Sequence, residues 1–305
     1  MKVLVLGGTG FIGRRLVNNL ISSGKDVTLA TSGKSPNPFG DRVSILVADR
    51  FSRESMNNAF SGDSYFDVVF DTVGYRSLDL RNSLEALNRK CGKYVYISSA
   101  AVYRGKKGIL SEKDFVAGKQ EYAGSGLETS YEQGKRSSEA YLLNNASIPV
   151  AIARFPNVMG YDDSTLRFQD HVARLVDGKE FKFPEREGRR NSVWVEDAGR
   201  FLAWLGASNI TGVYNGASAD SMKASEFISR MAFFLGTSAR IVAQPELSNS
   251  RYYTKEDFIL DVSKAEESGF RFTPTTEWLE KETKSAAEHG NSSPNSEDYA
   301  NQLFP

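Results

Sequence analysis

The sequence predicts an α/β protein built as a doubly wound parallel sheet with a smaller mixed α/β lobe. Two observations carry the prediction. Over the first 160 residues, short continuous apolar runs alternate with amphipathic stretches, the pattern of repeated βαβ units. The first run, Val3 to Leu6, passes at once into a glycine-rich turn and then a helix.

The elements follow in order. Val3–Leu6 is uniformly apolar, as a strand buried on both faces should be. Phe11–Leu20 places Ile12, Leu16 and Leu20 at helical spacing, and Gly24 ends that helix. Val27–Ala30 and Val43–Val47 read as strands two and three, and Ser52–Phe60 as a helix opened by Ser52. Val68–Phe70 is strand four, running into Asp71, and Leu78–Leu87 is a helix with leucines at 80, 84 and 87. Tyr94–Ile97 is strand five, ending at Ser98-Ser99. Residues 104–126 are glycine-rich and aperiodic and read as a long loop, before a helix at Tyr131–Leu143 and strand six at Val150–Ala153.

Beyond Gly160 the alternation loosens. Helices are expected near Arg167–Val176 and Ser225–Leu235, a basic turn at Arg186–Arg190, a strand and helix within Val193–Leu205, a returning strand at Val213–Asn215 and a short strand at Ile241–Val242. The expected division is 1–160 for the main sheet, with elements at about 191–220 returning to it, 161–282 for the smaller lobe, and 283–305 as a polar tail.

Composition narrows the function classes. With 38 basic and 38 acidic side chains among 305 residues the net charge is zero, so the broad positive field of a general nucleic-acid binder is missing. One cysteine, Cys91, and two histidines, His171 and His289, argue against a metal site built on Cys and His. No run approaches the roughly 18 apolar residues of a membrane span, and the N-terminus lacks a signal-peptide pattern, so a cytoplasmic location is expected.

Gly7, Gly10 and Gly13 stand at G-x-x-G-x-x-G spacing within Gly7-Gly8-Thr9-Gly10-Phe11-Ile12-Gly13, between strand one and its helix. Such a turn admits a pyrophosphate against backbone N–H groups at a helix N-terminus, which makes the sheet Rossmann-type. An acid at the end of strand two would bond the adenosine ribose of NAD. This chain has Ala30-Thr31-Ser32-Gly33-Lys34 instead, so Thr31, Ser32 and Lys34, with Arg14 and Arg50 as further candidates, favour NADP(H) over NAD(H). Asp49, ending strand three, can accept from the adenine amino group or serve as an ordinary strand-end acid.

Tyr131 and Lys135 lie four residues apart on one face of a helix. A cation beside the phenol favours its ionised form, and Lys135 can also bond the nicotinamide ribose. Ser98-Ser99 end strand five on the side of the sheet where such folds bind ligands, so a hydroxyl there can polarise the oxygen that the phenol protonates. Hydroxyl, phenol and ammonium beside a dinucleotide turn make hydride transfer the leading reading.

With these residues in view, the chain resembles the extended short-chain dehydrogenase/reductase family, its NAD(P)-dependent epimerase/dehydratase group. The glycine turn, Phe70-Asp71-Thr72-Val73-Gly74, Ser98 to Tyr103, Tyr131 with Lys135, Arg154 to Gly160, Val195-Glu196-Asp197 and Asp261 to Ala265 carry the resemblance in the family's order over residues 1 to about 280. It implies that Ser99, Tyr131 and Lys135 are catalytic. It places Thr9, Phe11, Ile12, Thr72, Val73, Gly74 and Phe155 with the glycines at the cofactor, and Asn157, Arg190 and Arg251 at an anionic, sugar-nucleotide-like substrate. It also implies a homodimer face at the helices near 78–90 and 131–143, although positions 80, 84 and 87 fit a core equally well.

Four departures qualify it. Ala100-Ala101 replaces the Asp-Glu pair of dehydratases, which disfavours dehydration; the missing strand-two acid favours an NADP-dependent reductase; Tyr161 replaces a proline; and Tyr252-Tyr253-Thr254 follows Arg251 without the usual Pro-Gly. The alternatives are an epimerase retaining NAD, or a non-catalytic nucleotide- or RNA-associated protein, since the wording also resembles a subgroup with RNA-associated plastid members.

Overall fold

The computed structural model describes residues 1–118, 124–244 and 248–289. The chain runs β1 (Lys2–Leu6), α1 (Phe11–Ser22), β2 (Asp26–Thr31), β3 (Ser44–Val47), α2 (Arg53–Ala59), β4 (Val68–Asp71), α3 (Ser77–Ala86) and β5 (Tyr94–Ser99). It continues with β6 (Gly108–Leu110), α4 (Tyr131–Asn145), β7 (Val150–Phe155), β8 (Val158–Met159), α5 (Arg167–Val176), β9 (Glu180–Phe183), β10 (Val193–Trp194) and α6 (Val195–Ala207). β11 (Gly212–Asn215), α7 (Ala224–Phe234), β12 (Arg240–Ala243), β13 (Phe258–Leu260), α8 (Ser263–Glu267) and α9 (Thr275–His289) follow.

Seven strands form one parallel sheet in the order β11-β7-β5-β4-β1-β2-β3. The order reverses direction on either side of β1 and β4, the switch point where such sheets open a crevice at the strands' C-terminal ends. β1 and β4 are buried because helices cover both faces. On one face α1 and α6 pack with Val3, Val5, Phe70 and Phe201; on the other α3 and α4 cover Leu4, Tyr94 and Tyr96. Gly199 lets α6 touch α1, since a Cβ there would stand 2.5 Å from the Cβ of Arg15.

A second core, with Phe168, Phe181, Phe227, Met231 and Trp278, gathers α5, α7 and α9 beside the small β8–β10 and β9–β12 pairs. Two sequence expectations change. Residues 283–289 continue α9, because Leu279, Thr283 and Ala286 turn one buried face inward while polar side chains cover the other. The remaining 290–305 of the expected tail lie outside the described residues. Within the expected 104–126 loop, Gly108–Leu110 pairs in parallel with Phe258–Leu260, and 119–123 lie outside the described residues. Leu80 and Leu87 are core residues, so neither supplies a surface for a second copy.

Candidate active site

The glycine turn has a different reason at each position. Gly7 and Gly8 have φ of +91° and +97°, in the left-handed region that favours glycine. A Cβ on Gly7 would meet Thr72 Oγ1 at 2.6 Å, and one on Gly13 would meet the Gly8 Cα at 2.7 Å. A Cβ on Gly10, the residue before α1, would project into open space, so nothing in the protein demands glycine there. Its backbone faces the position where a pyrophosphate would meet the first N–H groups of α1. Thr72 closes the turn from the neighbouring strand by donating its hydroxyl to the Leu6 carbonyl at 2.9 Å. The residues present therefore fit a dinucleotide. Thr9, Phe11 and Ile12 continue the turn half-buried, and Thr31, Ser32, Lys34 and Asp49 line the far end of the sheet at its surface.

Two residues expected at the cofactor are occupied otherwise. Arg50, expected toward the adenosine, instead donates to both carboxylate oxygens of fully buried Asp71, at 2.8 and 3.0 Å. That carboxylate also receives the Tyr94 hydroxyl at 2.7 Å. Burial opposes ionisation of Asp71, but Arg50 outweighs it and holds the carboxyl below its usual range. The Phe155 ring packs into the core against Phe201, with centroids 6.1 Å apart, so only its backbone is left to face the crevice. Arg14, a further candidate, pairs with Asp162 at 2.8 Å.

Tyr131 and Lys135, expected to act with Ser99, both lie on α4. Ser130 caps α4 by accepting from the Gln133 N–H at 3.3 Å, which sets Tyr131 at the first helical position and Lys135 one turn on. Gly134 lets α4 lie on the segment after β4: a Cβ there would stand 2.4 Å from the Tyr75 carbonyl oxygen. That approach carries Lys135 inward, where its ammonium donates to Gly74 O at 2.7 Å, Ile97 O at 2.8 Å and Tyr96 Oη at 3.2 Å. The rings of Tyr96, Tyr75 and Tyr131 surround it at 4.8, 5.1 and 5.7 Å. Burial pushes this ammonium down to about 7. All three of its protons go to protein acceptors, so holding a ribose hydroxyl requires exchanging one of them.

Tyr131 keeps 36% of its surface exposed, at the mouth of this arrangement, with its ring against Tyr75 at 6.4 Å. Desolvation raises the phenol above its ordinary value, partly opposed by the Ser99 hydroxyl and by the charge of Arg167. Ser99 itself caps the turn after β5, accepting from the Ala101 N–H at 3.1 Å.

Beneath Tyr131 and Lys135 lies a buried network. Glu139, one turn beyond Lys135, pairs with Arg154 of β7 and accepts from Ser98. Arg154 also donates to Tyr103 Oη at 2.8 Å and to the carbonyls of Glu112 and Phe115 at 3.1 and 2.9 Å. α4, the end of β5 and the following loop are thereby held in one register.

In the basic turn, Arg186 pairs with Glu256 at 2.7 Å and Arg189 with Glu226 at 3.2 Å. Arg190 alone has no ion pair among the described residues, and its buried Nε has no hydrogen-bond partner. Desolvation lowers this guanidinium to about 10. It lines a cavity with Met159, Ser192, Met222, Phe227 and Tyr252. Asn157 is half-buried, and its carbonyl accepts from the Val193 N–H at 3.1 Å. Arg251 is exposed and reaches the Thr165 carbonyl at 3.4 Å. The sequence reading did not single out Arg167, Tyr75, Gly134, or the Glu139–Arg154 pair. Gly134 alone left a signal, since an interior helical glycine costs about 1 kcal/mol and asks for a packing reason.

The crevice thus combines a glycine turn at a switch point with Ser99 at the end of β5 and Tyr131 and Lys135 on α4. Residues 3–87 match the model of the NAD dependent epimerase/dehydratase family. The chain superposes on the UDP-glucose 4-epimerase of Thermotoga maritima bound to UDP-glucose with a TM-score of 0.74 at 19% identity, covering 96% of this chain and 100% of that one. It superposes on the Bacillus cereus UDP-glucuronic acid 4-epimerase in complex with NAD with a TM-score of 0.72 at 20% identity, covering 97% and 100%. By sequence it is 37% identical over 143 residues to the Arabidopsis thaliana chloroplast stem-loop binding protein of 41 kDa b, covering 42% of this chain and 37% of that protein. It is 27% identical over 183 residues to a Bacillus cytotoxicus UDP-N-acetyl-alpha-D-glucosaminuronate decarboxylase, covering 52% and 55%. The chain thus spans about two fifths to about half the length of these two relatives. The family match is thus confined to residues 3–87, and the chain as a whole shares the fold of these two epimerases. Among the described residues no helix is long and apolar enough to cross a membrane.

Proposed function

We propose that the chain is an NAD(P)-dependent oxidoreductase that moves hydride at a hydroxyl- or keto-bearing carbon of a phosphate-bearing, sugar-nucleotide-like substrate, with reduction as the favoured direction. The observation that carries the reading is the convergence of Ser99, Tyr131 and caged Lys135 beside the glycine turn. The dinucleotide, when bound, supplies or accepts the hydride. In reduction Tyr131 gives its phenolic proton to the forming alkoxide, and Ser99 donates a hydrogen bond to the same oxygen. A phenol held above its ordinary value stays protonated at neutral pH and suits that direction. Ala100-Ala101 supplies no carboxylate for elimination, which supports simple hydride transfer over dehydration.

The smaller lobe is the substrate-binding part in this reading, with Arg190, Asn157 and Arg251 toward the phosphates. Both structural neighbours' names specify nucleotide sugars, one of them with NAD. The bare end of β2, with Thr31, Ser32 and Lys34 and no carboxylate, supports NADP(H) for this chain. The test is absorbance at 340 nm with NADP+ or NAD+ and a panel of UDP-sugars. Tyr131→Phe should lose roughly 10²–10⁴-fold in rate, and Lys34→Ala should weaken NADP+ more than NAD+. Full turnover by Tyr131→Phe would sink the reading.

A second reading, an RNA-associated protein, is favoured by the stem-loop binding named for the Arabidopsis relative. Retention of a stem-loop RNA by the wild type and by Tyr131→Phe alike, without hydride transfer by either, would select it.

A further inference from the structure

The start of α1 and the first loop of the smaller lobe meet at one carboxylate. Asp162, between β8 and α5, accepts from Arg15 Nη1 and Nη2 at 2.6 and 2.8 Å and from Arg14 Nη2 at 2.8 Å. Arg15 is held from behind: its Nε donates to Glu196 of α6 at 2.9 Å, and its guanidinium lies over the Phe11 ring at 5.5 Å. That ring packs in turn on the chain leaving β8, where a Cβ on Gly160 would stand 3.1 Å from Phe11 Cζ. A lone exposed ion pair contributes little. Here a bidentate fork, with the Arg15 side chain only 11% exposed, ties together residues 147 positions apart.

Both ends of this strut lead to a site. On one side, the Arg14 N–H closes the first turn of α1 on the Gly10 carbonyl at 2.8 Å. Gly10 has no side chain to cap that turn and the turn holds no acid, so its N–H groups favour an anion such as a pyrophosphate. On the other side, Met159 lines the Arg190 cavity, and Met159 and Phe168 bracket the loop as core residues of the smaller lobe. Glu282 of α9 fixes the same loop, accepting from the Tyr161 N–H at 2.7 Å and from Trp194 Nε1 at 2.8 Å. Asp163 folds it on itself, accepting from the Thr165 N–H at 3.0 Å and from Thr165 Oγ1 at 2.7 Å. Asp162 is therefore the point where an ordering of the glycine turn is passed to the smaller lobe.

We propose that Asp162 is a positioning residue that couples the two halves of the cleft. An anion that tightens the first turn of α1 also steadies Arg14 and Arg15, and through Asp162 the loop 160–166 and the Arg190 cavity beside it. By linkage, dinucleotide and substrate then raise each other's affinity by the same factor. The proposal rests on the dinucleotide reading of the glycine turn.

The experiment is hydrogen exchange of the full chain, read by mass spectrometry with and without excess NADP+ or NAD+. In the wild type the dinucleotide should slow exchange roughly fivefold or more in peptides spanning 161–176 as well as in those spanning 7–17. Asp162→Asn should keep the protection at 7–17 and lose it at 161–176, and Asp162→Glu should restore part of it. A merely structural role would speed exchange at 161–176 in the variant but leave the effect of the dinucleotide there unchanged. Thermal unfolding checks that each variant keeps its fold. Arg15→Gln, which cuts the fork from the α1 side, carries the test if Asp162→Asn does not fold. No protection of 161–176 in the wild type, or protection that survives Asp162→Asn, overturns the proposal. Absence of protection at 7–17 with either dinucleotide marks failure of the dinucleotide reading itself, and overturns the proposal with it.

Discussion

Replacing Lys135 with methionine tests the core of the site without a substrate. The ammonium is 3% exposed, makes three hydrogen bonds and is caged by three tyrosine rings, yet burial still brings it to about 7. A lysine whose folded value lies below its unfolded value binds fewer protons when folded. Unfolding therefore takes up a proton between about pH 7 and the unfolded value near 10.4, and stability rises with pH through that window. For a folded value of about 7, integrating the linkage relation gives a gain of ~2 kcal/mol between pH 7 and pH 9 from this one group. Methionine fills a similar volume and has nothing to titrate. The assay is urea unfolding of both proteins at pH 7 and pH 9, read as the difference of differences so that other groups cancel. Tyr131 does not interfere, because its phenol is held above its ordinary value and stays protonated to pH 9. Wild type should gain about 2 kcal/mol more than Lys135→Met over that range. Parallel pH dependences in the two proteins would mean that Lys135 is charged at its ordinary value, and that the buried cage is not as described.

Two further substitutions probe how that residue is held. Gly134→Ala should cost about 1–3 kcal/mol of stability, because its Cβ would stand 2.4 Å from the Tyr75 carbonyl oxygen and push α4 outward; thermal unfolding reads the loss, and a neutral or stabilising effect would show that the contact is slack. Arg154→Met leaves Glu139 buried without its partner and should cost roughly 3–5 kcal/mol, while the double replacement Arg154→Met with Glu139→Leu should recover much of that. Urea denaturation of the three proteins checks the order, and a double variant no better than the single one would contradict the desolvation argument.

The parallel sheet was legible because its strands are buried on both faces. Val3–Leu6 and Tyr94–Ile97 can only be continuous apolar runs when helices cover both sides, and such runs are hard to mistake. The end of α9 was not legible, because one of its inward positions is Thr283, whose polarity reads as surface although the residue is fully buried. The short strand at 108–110 was hidden for another reason. Its partner, 258–260, lies 150 residues further on, and three residues carry no periodicity of their own.

At the site, local spacing brought out residues that lie together along one helix or turn. Tyr131 and Lys135 are one turn apart, and the glycines sit within seven positions. Charges were another matter, because a charged side chain's role depends on which partner the fold brings to it. Arg14, Arg50 and Arg190 look alike in sequence, each a basic residue beside a cofactor or phosphate motif. Folding gives Arg14 to Asp162 and Arg50 to Asp71, and leaves Arg190 and the terminal nitrogens of Arg167 without a partner among the described residues. Two arginines are thereby removed from the adenosine end, where a bare strand had suggested many cations for one phosphate. The guanidinium without an ion pair among the described residues lies instead at the smaller lobe's cavity, at Arg190. Under the proposed function, therefore, arginine bears on the substrate more than on the choice between the two nicotinamide dinucleotides, which that reading assigns to Thr31, Ser32 and Lys34.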